Sequence, residues 1–115
     1  MNSKSVKTFT ATIYVGRLNM ATVSLVPERT VCRACEQYVD RIGLCVSVTP
    51  TEFIYTDGGE PGFAIGIINY PRFPDTDSNL KARAIEIAVR LMDVCSQNRV
   101  SIIMQDETVM LSKES

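Results

Sequence analysis

Gly62-Phe63-Ala64-Ile65-Gly66-Ile67-Ile68-Asn69-Tyr70-Pro71-Arg72-Phe73-Pro74 is the stretch on which the fold turns. Its first half is the most continuously apolar run in the chain, and turn-forming residues bound it. An unbroken apolar run of this length predicts a strand buried on both faces, and so the central strand of a sheet. Its second half offers an amide, two aromatics and a guanidinium between two prolines. Loops that follow a rigid strand commonly carry ligand contacts. Asn69, Tyr70, Arg72 and Phe73 therefore read either as a binding loop or as a strand stop with Phe73 plugging the core.

Working outward, Asp57 to Gly62 is a turn by composition, which joins the apolar strand to a preceding one as a hairpin. That preceding strand begins at Leu44, and Pro50 within it implies a bulge or an edge position. Before it, Val31, Cys35, Tyr38 and Ile42 form one apolar stripe at helical spacing, opened by Pro27 and closed by Gly43. Thr8 to Val15 alternates cleanly and predicts a half-buried strand, while Arg17 to Val26 is irregular. On the other side, Asp75 to Ser78 suits helix capping, and a second helix runs to about Gln97. Its apolar arc is wider than one sheet face requires, which favours a subunit contact over covering loops. Val100 to Met104 and Thr108 to Leu111 complete the pattern as strands, the last at an edge. The order β-α-β-β-α-β-β predicts a single-domain α+β sandwich. An antiparallel or mixed sheet of about five strands carries two helices on one face, with a hint of ferredoxin-like arrangement.

Composition narrows the function. The chain has 115 residues, a net charge of -1 and no histidine. Near-neutral charge argues against a DNA, RNA or membrane surface. A polar amino terminus without a signal-like run, and no long apolar segment, predict a cytosolic setting and reduced cysteines. Cys32 and Cys35 have the C-x-x-C spacing inside a predicted helix, which favours packing over zinc or redox work. Without histidine, a nucleophile elbow or an activated thiol, the expectation is a protein that is not an enzyme and uses no cofactor or metal. Binding chemistry is better supplied. Tyr70 and Phe73 can stack on a base, Asn69 can bond a base edge, and Arg17, Arg72 and Arg99 can hold an anion. Convergence of these arginines at one sheet edge would make an anionic pocket.

Four fragments carry a resemblance: Phe9-Thr10-Ala11-Thr12-Ile13-Tyr14-Val15-Gly16, Leu44 to Tyr55, Gly66 to Pro74 and Asp106 to Ser112. Together they resemble small phage- and prophage-encoded proteins of the first Thoeris anti-defense family. The resemblance implies a non-enzymatic sponge that sequesters a cyclic ADP-ribose isomer made by bacterial TIR proteins, such as glyco-cyclic ADP-ribose, and releases it intact. It further implies homo-oligomers, dimers and in some members hexamers, with sites at subunit contacts. Some members hold cyclic di- or trinucleotides at separate sites. By analogy Phe73 stacks on adenine, Arg99 holds pyrophosphate, and Lys81 or Arg83 reaches across the dimer. The alternatives are a phage protein acting through a host protein partner, and a small nucleotide-processing enzyme.

Overall fold

A computed structural model of the chain describes residues 1–113. Its elements are β1 (Thr10–Gly16), β2 (Leu18–Asn19), β3 (Ser24–Leu25), α1 (Glu28–Ile42), β4 (Cys45–Tyr55), β5 (Gly58–Ile68), α2 (Asp77–Val94), β6 (Arg99–Met104) and β7 (Thr108–Ser112). The five long strands form one antiparallel sheet in the order β4-β5-β1-β6-β7, and β2 and β3 form a small hairpin of their own. This is the ferredoxin-like split β-α-β with β7 added beside β6. The α+β architecture and the two helices on one face match the sequence expectation.

Alternation places each side chain. Ala11, Ile13 and Val15 of β1, Phe63, Ile65 and Ile67 of β5, and Val100, Ile102 and Met104 of β6 are buried beneath the helices. Each large member removed from water contributes about 1.5–3 kcal/mol. From α1 the core takes Val31, Ala34, Cys35 and Tyr38, and from α2 Leu80, Ala84, Ile87, Ala88, Leu91 and Met92. The apolar run at 63–68 is not central and not buried on both faces. β1 holds the centre, and Ile68 on the opposite sheet face is 42% exposed. Small residues made the run look doubly buried: Ala64 and Gly66 occupy that open face without needing cover.

The wide apolar arc of α2 has a similar explanation. α2 packs on β6 and β1 below and on α1 beside it, so it buries two flanks. Ile85 and Val89 remain exposed. Helix ends follow their local chemistry. Thr76 caps α2 by accepting from the Asn79 amide at 3.2 Å, and Gly43 ends α1 at φ 77°, a left-handed conformation suited to glycine.

The hairpin differs most from expectation. Its loop is two residues, Thr56 and Asp57, with Asp57 at φ 65°, and Gly58 to Gly62 already belong to β5. The glycines serve a close approach rather than a turn. A Cβ on Gly62 would lie 2.5 Å from the Val15 carbonyl oxygen and overlap the Phe53 ring. Among the described residues, no helix is long and apolar enough to cross a membrane.

Candidate functional site

Opposite ends of the sheet receive the residues singled out in the sequence. β1 runs six residue steps from Thr10 to Gly16, roughly 20 Å at strand rise. The loop after β5 lies at the Thr10 end, because Thr10 pairs with Ile68. Arg17 and Arg99 lie at the Gly16 end. The expected convergence of arginines on the Asn69–Phe73 loop therefore does not occur.

Most of those residues have structural partners. Asn69 is buried: its amide nitrogen donates to the Lys7 carbonyl at 2.7 Å, and its amide oxygen accepts from the Asp75 N–H at 3.0 Å. Tyr70 meets Phe73 edge to face at 5.9 Å, Arg72 lies 5.4 Å over the Phe73 ring, and Phe73 backs onto Gly43. Arg17 donates from Nε to the Val26 carbonyl at 3.1 Å and covers the Phe63 ring at 4.5 Å, which roots the β2–β3 hairpin. Lys81 pairs with Asp106 at 2.6 Å, and that contact raises the ammonium pKa and lowers the carboxyl pKa. Arg83 stands 3.6 Å from Glu86, whose other oxygen accepts from Tyr38 Oη at 2.5 Å. Burial first, and then the Glu86 contact, push the Tyr38 phenol up to about 12.

Arg99 alone among the eight lines the main cleft, an open hollow of about 1050 Å³ where β1 ends and β6 begins. Its walls come from outward-facing strand positions that the sequence reading did not single out. Tyr14 and Phe53 stand edge to face at 5.7 Å, and Tyr55 lies near the tip of the β4–β5 hairpin. At its floor is Gly16. A Cβ there would lie 2.9 Å from Gln97 Oε1 and 3.1 Å from Glu60 Oε2, so two acceptors converge over the bare glycine. Gln97 is oriented by its own amide, which donates to the Leu18 carbonyl at 2.9 Å and the Cys95 carbonyl at 3.1 Å. Its oxygen is thereby turned toward the carboxylate. Two oxygens so placed suit a cation or a strong donor. The cleft thus combines π-faces, a negative corner and a guanidinium.

The one signal available in the sequence was alternation: Tyr14, Phe53 and Tyr55 occupy outward positions on their strands, where large aromatics are not needed for the core. The cysteines are free thiols, and burial raises Cys35 and Cys95 to about 11, which keeps them protonated and unreactive. Among the described residues no cluster of His, Cys, Asp or Glu could hold a metal ion.

A phage SAM lyase solved in complex with S-methyl-5'-thioadenosine shares this fold, with a TM-score of 0.80 and 18% identity over 99% of this chain and 96% of that one. A phage SAM lyase in its apo state also shares it, with a TM-score of 0.69 and 18% identity over 93% and 90% of the two chains. No family model and no curated protein matches the chain. The expectation that the protein is not an enzyme is overturned by this comparison. It rested on missing acid/base residues, and cleavage at a centre that already carries a good leaving group needs none. Across nearly its whole length, the chain has a fold used by phage lyases.

Proposed function

We propose that the protein is a phage-type lyase that cleaves S-adenosylmethionine, bound in the cleft over Gly16, and so acts against host processes that depend on that methyl donor. The cleft's composition is the observation that carries this reading. S-adenosylmethionine presents an adenine, two positive centres (sulfonium and α-ammonium) and an α-carboxylate. Tyr14, Phe53 and Tyr55 offer faces for the adenine, each stacking contact contributing about 1–3 kcal/mol. The Glu60 carboxylate and Gln97 Oε1 receive positive charge, and the Arg99 guanidinium matches the carboxylate.

Cleavage to S-methyl-5'-thioadenosine breaks the bond between sulfur and Cγ. The bonding pair goes to sulfur and cancels its charge. The product is a neutral thioether, so the negative corner holds substrate more strongly than product and favours release. If the substrate's own carboxylate closes on Cγ, the four-carbon half leaves as a lactone and no protein base is needed. If Glu60 removes a Cβ proton instead, it leaves as an unsaturated amino acid. This reading replaces the sponge expected from the family resemblance and keeps its nucleotide-like ligand class and phage setting.

Incubation with S-adenosylmethionine followed by chromatography and mass spectrometry is the test. Methylthioadenosine and one of the two four-carbon products are expected. Unchanged substrate over long incubation overturns the proposal.

A further inference from the structure

We propose that Gln97 is a positioning residue whose amide is set by the β2–β3 hairpin, so that the hairpin decides how strongly the cleft floor attracts a cation. A glutamine amide has two unlike ends, one that accepts and one that donates. Gln97 Nε2 donates to two backbone carbonyls, Leu18 at 2.9 Å and Cys95 at 3.1 Å. Turning the amide over would press Oε1 against both carbonyl oxygens, acceptor on acceptor. The oxygen is therefore the end left for the cleft. It stands with the Glu60 carboxylate over Gly16, the two lying 2.9 and 3.1 Å from the place a Cβ would take.

The two carbonyls that hold the amide differ in what they report. Cys95 lies two residues away at the end of α2 and moves with Gln97. Leu18 is 79 residues away in β2, and its carbonyl is in reach only while the hairpin lies against the end of α2. The root of the hairpin is firm. Arg17 N donates to the Pro61 carbonyl at 3.1 Å, and Val26 N to the Arg17 carbonyl at 2.8 Å. Beyond the root each strand is two residues long, and a side-chain tie runs from Asn19 Nδ2 to Ser96 Oγ at 3.3 Å. At the tip, Met20 is 72% and Val23 78% exposed. Val23 sits at φ 51°, a left-handed conformation that a β-branched residue rarely adopts. Little buried surface and a disfavoured backbone mark a segment that opens at low cost.

Lifting the hairpin changes the floor. With the Leu18 carbonyl gone, Gln97 is free to turn an N–H toward the Glu60 carboxylate, a charge-assisted bond stronger than the neutral one it gave up. The corner then carries its own donor and pulls less on a cation. With the hairpin docked, the amide presents only its acceptor. Leu18 and Met20 also form part of the cleft wall, so a ligand that packs against the hairpin favours the state in which the floor is negative. Occupation of the cleft and attraction for charge are thus linked through one carbonyl.

The inference rests on the cleft being the site of a cationic nucleoside, and the test separates the two. Calorimetry on the full chain compares sinefungin, an uncleaved analogue with an amine at the sulfonium position, with neutral methylthioadenosine. The readout is the ratio of the two affinities, which a loss of folded protein or of adenine stacking leaves unmoved. Gln97→Met has neither end of the amide and should lower the preference for sinefungin about tenfold. Asn19→Ala, outside the cleft, loosens the hairpin and should lower it about fivefold while Gln97 is present. In the Gln97→Met background the same Asn19→Ala change should leave the ratio within about twofold, because the hairpin acts through that amide. In spectra of the ligand-free wild type, the Gln97 side-chain NH2 should give nuclear Overhauser contacts to Leu18. A chain that binds neither ligand overturns the reading of the cleft and the inference with it. A chain that binds both, with a ratio indifferent to Gln97→Met or equally lowered by Asn19→Ala in both backgrounds, overturns this inference alone. So do NH2 contacts to the Glu60 side chain in place of Leu18.

Discussion

Replacing Gly16 by alanine separates the cleft's chemistry from the fold's stability. The new methyl would sit 2.9 Å from Gln97 Oε1 and 3.1 Å from Glu60 Oε2, where ordinary contact begins at 3.4 Å. The two oxygens must therefore retreat by 3.4 − 2.9 = 0.5 Å and 3.4 − 3.1 = 0.3 Å. Both are ends of flexible side chains and no backbone atom is among these close neighbours, so the fold yields easily. Removing a glycine also lowers the freedom of the unfolded chain, a stabilisation of about 0.4–1 kcal/mol. Thermal stability should stay within a few degrees of wild type. Binding of the cationic substrate should not. A charge-assisted contact contributes about 1.5–3 kcal/mol, which corresponds to roughly a 10–150-fold loss in kcat/KM. The assay is methylthioadenosine release followed by chromatography, beside a thermal melt of the same preparation. A folded Gly16→Ala variant with activity within twofold of wild type would refute the idea that these two oxygens hold the substrate's charge.

Glu60→Gln should reduce kcat/KM for S-adenosylmethionine about tenfold or more while leaving calorimetric affinity for neutral methylthioadenosine within about threefold, because the lost interaction is with charge. Gly62→Ala should destabilise by about 1–3 kcal/mol in denaturant melts, since its methyl would overlap the Phe53 ring and lie 2.5 Å from the Val15 carbonyl oxygen, a backbone atom that cannot swing aside. Tyr38→Phe removes the donor to Glu86, far from the cleft, and should cost about 1 kcal/mol of stability with turnover unchanged. Alkaline pH gives a fourth check. Cys35 and Cys95 rise from 9.0 to about 11 on folding, so their contribution is complete below pH 9 and is lost as pH climbs through 11. Chemical-denaturation midpoints should fall across that window, and Cys35→Ala/Cys95→Ala should flatten the fall.

Local pattern carried most of the fold. Alternation at Thr8–Val15, the stripe through Val31, Cys35, Tyr38 and Ile42, and Gly43 at its end each specify an element through nearest neighbours, and the structure has them all. Strand order is different, because it depends on which strands pair across the sheet. The run at 63–68 looked central, and small residues rather than burial account for it. Long-range placement also explains why the singled-out residues do not converge. Asn69 and Arg99 seemed to share a purpose, yet they stand at opposite ends of the strands. The polar groups that line the cleft floor, Glu60 and Gln97, are ordinary in sequence and become neighbours because Gly16 of β1 lies beneath both. The inference from missing histidine to missing catalysis was too strong, because a fold used by a phage SAM lyase needs no protein base where the substrate carries its own leaving group.

The close approach at Gly62 has a consequence for how this protein can diverge. The Phe53 ring occupies the space a side chain at 62 would need. Shrinking position 53 would clear the ring and leave the Val15 carbonyl oxygen 2.5 Å from any Cβ at 62, so glycine at 62 answers to the backbone of β1 as well as to the side chain at 53, and relief at one neighbour does not release it.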